Sequence, residues 1–298
     1  MRIGIFGGDG SVGDLVDMAR TCEADGFDSF WLPQIFGNDA IGVHTLIGHE
    51  VPRIELGTAV VPTYPRHPVV LAGQALTASV ASGGRFTLGI GLSHQLVIEG
   101  MFGYSYDKPV RHMREYLSAL LPLLAGESVD VDGETVSAHA TVSVEGAGPV
   151  PVLVAALGPK MLQLAAERTA GTVTWMTGPK TLGEHTVPTI TSAADEAGTG
   201  DMRVVGALPV AVTDDVAAAK ERAAKVFQIY GHLPSYRAML DREGAEGPAD
   251  VALIGSAADV EAGIGRMRDA GVTDFVAVPF HTDGSVQSDT RDVLKGLL

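Results

Sequence analysis

Polar and glycine-rich breaks between apolar runs hold most of the residues of this chain that could do chemistry. They are Gly7 to Asp9, Gln34 to Asp39, Val60 to His67, Gly91 to Gln95, Ala156 to Lys160, Met176 to Lys180, Pro209 with Val210, and Pro279 to His281. Each follows a short run that reads as a strand, and in alternating strand–helix folds the strand ends are where ligands bind. The set is apolar and poor in carboxylates. It holds no catalytic triad, no metal-spaced histidine pair and no H-x-x-x-H or H-x-x-E-H pattern. A pocket of that kind suits a large planar cofactor that performs the chemistry itself.

The elements that must position these breaks are clearest from Leu56 to His94. Leu56 to Val61 is a short β-branched strand, broken by Pro62, Pro65 and Pro68, which cannot continue a ladder or a helix. A helix is predicted from Pro68, with Gly83-Gly84 ending it before a strand over Phe86 to Ile90. Pro65, Arg66 and His67 then form a rigid loop above the sheet. The same alternation runs through the chain, with strands over Arg2 to Phe6, Phe27 to Leu32, Pro151 to Ala155, Thr172 to Met176, Arg203 to Val212 and Asp274 to Val278. Ser11 reads as an N-cap and Gly26 as the stop of the first helix.

Eight strands alternating with helices fit an α/β fold of the closed (β/α)8 TIM-barrel type, spanning 1–298 as one domain. Two segments fall outside the repeat. After the fourth strand, Ser128 to Val144 alternates with period two and carries Asp132-Gly133, which predicts a hairpin turn. After the seventh, His232 to Asp250 is polar and reads as a surface excursion. The competing doubly wound sheet would carry G-x-G-x-x-G in its first turn, and Gly7-Gly8-Asp9-Gly10 lacks that spacing.

Composition narrows the function classes. The formal net charge of −15 argues against nonspecific nucleic-acid binding, which needs clustered Lys and Arg. No apolar run approaches the roughly 20 residues of a membrane span, and the N-terminus reads as strand and turn, so a cytosolic location is expected. Cys22 is the one cysteine and, set among Val16, Ala19 and Ala24, reads as a buried structural thiol.

Four motifs carry a family resemblance: FDSFWLPQIFGNDA (Phe27 to Ala40), IELGTAVVPTYPRHP (Ile54 to Pro68), GGRFTLGIGLSH (Gly83 to His94) and VLVAALGPKMLQLA (Val152 to Ala165). Together they make the chain similar to the bacterial luciferase-like flavin and deazaflavin superfamily. The likeness is greatest to the actinobacterial branch that uses coenzyme F420, a 5-deazaflavin.

The resemblance implies a cis peptide at Ala59-Val60 beneath the deazaflavin ring, with Pro62 and Thr63 along the ring and ribityl chain. Gly91 and Ser93 would lie near the cofactor contacts of the fourth strand. The turn of Ala156, Leu157, Gly158, Pro159, Lys160 and Met161 would hold the phosphate, and Met176, Thr177 and Gly178 would continue the site. The backbone amides at a helix start opened by Gly158 and Pro159 can bind an anion without a charged side chain, though the same residues also make an ordinary helix start. Arg66 and His67 would either meet the anionic tail or simply cap the loop and helix.

One departure matters. Sugar-phosphate dehydrogenases of the group carry Asp-His after the second strand and Glu after the fourth. Here Gln34, Ile35 and His94 stand at those places. Ile35 cannot transfer a proton. His94, which titrates near neutral pH, becomes the candidate proton donor or substrate contact, and Gln34 a candidate for orienting the substrate.

The implied activity is F420-dependent hydride transfer between deazaflavin C5 and a small organic substrate. An FMN-dependent monooxygenase and a non-catalytic cofactor-binding relative are the alternatives. The resemblance also implies a homodimer. Aromatic Phe102, Tyr104, Tyr106 and Tyr236 point to a flat or apolar substrate.

Overall fold

Short β-branched and glycine-containing runs form the strands, and helices with one apolar face cover them. The structure is a computed structural model and describes residues 1–8, 10–281 and 284–298, so Asp9 lies outside the described residues. Its strands are β1 (Arg2–Phe6), β2 (Ser29–Leu32), β3 (Glu55–Thr58), β4 (Val61–Pro62), β5 (Phe86–Gly91), β6 (Ser128–Asp132), β7 (Ser137–Thr141), β8 (Val152–Ala155), β9 (Gly171–Trp175), β10 (Arg203–Val212), β11 (Leu253–Gly255) and β12 (Asp274–Pro279). Parallel pairing runs β1-β2-β3-β5-β8-β9-β10-β12 and returns to β1. Eight strands therefore close into a barrel, and the open-sheet alternative falls away.

The barrel separates two apolar layers. Trp31, Leu153, Val173, Val205, Ala207 and Val276 fill the interior, with Ala59, Val60, Ala155 and Trp175 packed above as a half-buried upper layer. A larger layer lies between the strands and the helices. The first helix, Val12–Asp25, shows why local sequence suffices at many ends. Ser11 and Asp14 form a reciprocal capping box, and Gly26 adopts φ 93°, a left-handed stop open to glycine at little cost. Cys22 is buried, and burial pushes its thiol up to about 12, which leaves it protonated and inert.

The amino-terminal end of the barrel is closed by charge. Arg203 donates to both carboxylate oxygens of Asp274 at 3.0 and 2.6 Å, to Glu55 at 2.6 Å and to Thr87 at 3.3 Å. Its guanidinium lies 5.5 Å from the Trp31 ring centre. Arg2 adds ion pairs to Glu55 and Asp274.

Several expectations need correction. The third strand is not continuous over Leu56 to Val61. It breaks after Thr58 and resumes as β4 beyond a cis Ala59–Val60 peptide, with β4 pairing to β5. The Thr58 hydroxyl bridges the Gly89 carbonyl and amide, and a Cβ at Gly89 would overlap the Thr58 carbonyl, so β3 presses into β5 there.

The hairpin does not turn at Asp132-Gly133. Asp132 still pairs with Ser137, and residues 133–136 form the loop, held by the Glu115 carboxylate accepting from Thr135 and Val136. The second insertion is not merely a polar excursion. It contains the helix Pro234–Glu243, whose inward Met239 and Leu240 are hidden in a polar composition, and it ends in β11, which extends the sheet beside β10. The helices Gln95–Gly100 and Gly284–Lys295 were not evident from the sequence, the first being only six residues long and the second burying only Thr290 and Leu294.

Candidate active site

The carboxyl ends of the barrel strands gather most of the expected residues around one mouth. Val60 stands beside β5, where Gly91 must stay bare because a Cβ would come within 2.7 Å of Val60 Cγ2 and 3.2 Å of Ala155 Cβ. Ala59 and Val60 thus form a flat apolar floor. Ser93 at the exit of β5 and Met176 at the exit of β9 both hold positive φ, 58° and 53°. Such backbone is uncommon outside glycine and clusters at ligand sites.

Aromatic rings form one wall. His94 meets Tyr236 at 5.7 Å, Tyr236 meets Tyr230 edge-on at 5.0 Å, and Tyr230 meets Trp175 edge-on at 5.8 Å. Phe227 lies edge-on to Trp175 at 5.6 Å, and Phe6 stacks on it at 6.4 Å. Burial holds the His94 imidazole below its ordinary range, so it is neutral at pH 7. Its side chain makes no capping bond to the helix it precedes.

Two helix starts face the mouth on adjacent loops. Gly158 caps Pro159–Arg168 with no side-chain bond, and a Cβ there would meet nothing within 4 Å. Met161 is buried under this turn, Ala156 is buried beside it, and Leu157 accepts a 2.9 Å bond from His185. The second start follows Met176 and Thr177, at Gly178, Pro179 and Lys180. Its Thr177 hydroxyl turns back to the Trp175 carbonyl at 3.2 Å. Lys160 and Lys180 are exposed, and neither ammonium has an ion-pair partner among the described residues. Lys180 was not singled out from the sequence, although its Gly-Pro-Lys setting repeats that of Lys160.

Other expected residues are engaged elsewhere. Gln34 accepts the Ala40 amide at 2.9 Å, which spends its carbonyl on the start of Ala40–Glu50 and leaves its amide nitrogen free. Ile35 is exposed. His67 caps Pro68–Ala81 through Nδ1, and its Nε2 donates to Ser137 on the hairpin at 2.9 Å. Arg66 pairs with Asp39 at 2.7 Å, and its carbonyl accepts from the Tyr116 hydroxyl at 2.6 Å. His67 thus makes the cap, while Arg66 pairs with Asp39 and keeps its Nη1 buried without a partner.

Thr63 is buried and shares a 3.1 Å bond with His112 Nε2. Pro62 lies half-buried in β4 beside Gly91. His112 was missed from the sequence. It stacks on Tyr64 at 3.9 Å, burial lowers its pKa to about 4, and Tyr64 in turn stacks on Tyr106, whose hydroxyl donates to Ser93. The available signal was its position four residues before Tyr116 on one helix face.

A family profile described as luciferase-like monooxygenase matches residues 2–278. A 5,10-methylenetetrahydromethanopterin reductase from Methanolobus tindarius is 31% identical over 273 residues, which cover 91% of this chain and 82% of that protein. Among solved structures, an F420-dependent secondary alcohol dehydrogenase in complex with an F420-acetone adduct superposes with TM-score 0.83 at 20% identity, covering 100% of this chain and 98% of that one. The coenzyme F420 dependent tetrahydromethanopterin reductase from Methanopyrus kandleri superposes with TM-score 0.80 at 23% identity, covering 99% and 96%. With its closed barrel and a family match over nearly its whole length, the chain belongs to the bacterial luciferase-like family.

Proposed function

We propose that this protein is an F420-dependent oxidoreductase acting on a small organic substrate. The observation that carries the reading is a flat apolar floor of Ala59, Val60 and Gly91 beside an aromatic wall, with two unpaired lysines at neighbouring helix starts. That donor set fits a planar ring with an anionic tail in a protein that is otherwise strongly acidic. The names of the two superposed F420-dependent enzymes and of the methylenetetrahydromethanopterin reductase support it.

Ala59, Val60, Pro62 and Gly91 would lie against the ring. The uncapped Gly158 start in the turn at Ala156–Met161, with Lys160, would take the phosphate, and the Met176–Gly178 turn, whose Lys180 and Thr181 amides are held by Glu243, would continue the site and offer the Lys180 ammonium to the tail. When bound, a 5-deazaflavin supplies hydride exchange at C5.

His94 has the proton role. As a neutral imidazole it accepts a hydroxyl proton at a ring nitrogen when the substrate is oxidised, and it returns that proton when the substrate is reduced. The free amide nitrogen of Gln34 donates to the substrate oxygen and orients it. Thr63 and His112 hold the backbone beyond the floor in place.

Parallel fluorescence titration of the full chain with F420 and with FMN tests the cofactor. Tight F420 binding is expected. Preference for FMN would transfer the protein to the oxygen-using monooxygenases, and binding of neither would overturn the assignment. With the cofactor in hand, His94→Ala is expected to lower kcat by about 10²-fold with an unchanged melting temperature. Full binding with no effect of that variant would favour a cofactor carrier.

The same proposal includes a homodimer. Leu46, Val70 and Val80 are exposed on the helices Ala40–Glu50 and Pro68–Ala81. Between these helices runs a groove of about 410 Å³ lined by Gly42, Thr45, Gly73 and Gln74. The Gln74 side-chain oxygen is buried there without a partner. Sedimentation of the wild type and of Val70→Asp tests this face, with a shift to monomer expected for the variant.

A further inference from the structure

The helix Pro234–Glu243 reaches across the mouth and is tied down at both ends by different chemistry. At its carboxyl end, Glu243 accepts the backbone amides of Lys180 at 3.1 Å and Thr181 at 2.7 Å, one on each carboxylate oxygen. The Thr181 hydroxyl returns a 3.2 Å bond to the Met239 carbonyl. Gly178 is bare where Glu243 lies against it, since a Cβ there would overlap the carboxylate. Near the amino end, Tyr236 packs on His94 and Tyr230. Arg237 stiffens the exit of the helix by donating to Asp241 and to the carbonyls of Ala245 and Glu246.

A carboxylate on the free amides of a helix start forms charge-assisted bonds aligned with the helix dipole. Here the contact joins residues 62 and 63 positions apart and ties an insertion to a loop of the barrel. Tyr236 and Glu243 are seven positions apart, a span of about 10 Å along a helix. The clamp at one end of that lever therefore fixes where the ring at the other end sits.

We infer that Glu243 is a positioning residue: its carboxylate clamps the insertion helix onto the turn after β9 and thereby holds Tyr236 against His94. The inference rests on the proposed role of His94 for its functional meaning, but the clamp itself does not depend on which cofactor binds. Glu243 touches neither His94 nor the floor of the mouth. It acts through the helix.

The test uses the full chain without added cofactor, as wild type, Glu243→Ala, Glu243→Gln and Tyr236→Ala. Hydrogen exchange of peptides within 228–243 reports the helix, and the His94 ring proton resonances, read with labelled histidine, report the Tyr236 ring current. Glu243→Ala is expected to speed exchange across Pro234–Glu243 at least tenfold and to move the His94 resonances toward their positions in Tyr236→Ala. Glu243→Gln keeps one acceptor oxygen and should fall between, which also covers the case in which the alanine variant folds poorly. Unchanged exchange and unchanged His94 resonances in both Glu243 variants would overturn the inference. Failure of F420 to bind, with these changes present, would overturn the proposed function and leave the clamp standing.

Discussion

The two ends of the barrel solve opposite problems. At the amino-terminal end Arg203, Asp274, Glu55, Arg2 and Thr87 form a closed set of ion pairs and hydrogen bonds over Trp31. At the carboxyl-terminal end the side chains are rings, methyl groups and two lysines without partners. The first end has satisfied its own polar groups and has none left to offer. The second keeps donors free and apolar surface half-buried, which is what a ligand needs. In the proposed reading, stability and binding thus fall to different layers of one fold.

Breaking the closed end should give the largest effect. Arg203→Met leaves Asp274 buried beside Glu55 with most of its compensation gone, and a loss of about 3 to 5 kcal/mol is expected in urea denaturation. The same variant should leave residual cofactor affinity intact wherever the protein remains folded. A drop in affinity as large as the drop in stability would mean the two ends are coupled.

Acid should act next. His44 is fully buried, donates to the Gly57 carbonyl at 2.8 Å, and is held by burial at about 4 instead of its ordinary 6.5. The unfolded chain takes up this proton below pH 6.5 while the native state refuses it until about pH 4. Stability therefore falls as pH drops through that window, by about 3 kcal/mol in total, and is unaffected by this group above it. His112 is lowered in the same direction and adds to the slope. Urea midpoints measured between pH 7 and pH 4.5 check the slope, and His44→Gln should flatten it.

The smallest expected change sharpens the open end. Lys160→Ala with Lys180→Ala should weaken F420 binding by about tenfold at low ionic strength, less in high salt, with the melting temperature unchanged. Equal loss for F420 and for its tail-free ring analogue would remove the lysines from the tail site.

Much of the barrel is legible in the sequence because its signals are local. Ser11, Gly26, Pro68 and the β-branched runs each announce a cap or a strand without reference to distant residues. The site is legible only in outline. The strand ends name the loops, and the resemblance names Ala59–Val60 as the cis bond, which the structure holds. What a loop side chain does depends on partners far away in sequence. His67 finds Ser137 on a hairpin 70 residues on, Thr63 finds His112, and Glu243 finds the amides of Lys180 and Thr181. None of these pairings leaves a mark in the spacing of either residue. The helix Pro234–Glu243 was missed for a related reason, since its buried residues are few, Met239 and Leu240, and its Glu243 and Arg237 bond to backbone groups the sequence does not point to.

β10 runs past the barrel rim to pair with β11, and Val212 lies in register with Gly255. The Thr213 amide donates to the Gly255 carbonyl at 2.8 Å, so the polypeptide between them departs from and returns to one spot on the scaffold. Lengthening or exchanging such an ends-together segment adds little loop-closure cost. Residues 214–252 are thus an ends-together segment whose length can change without moving the strands that carry it.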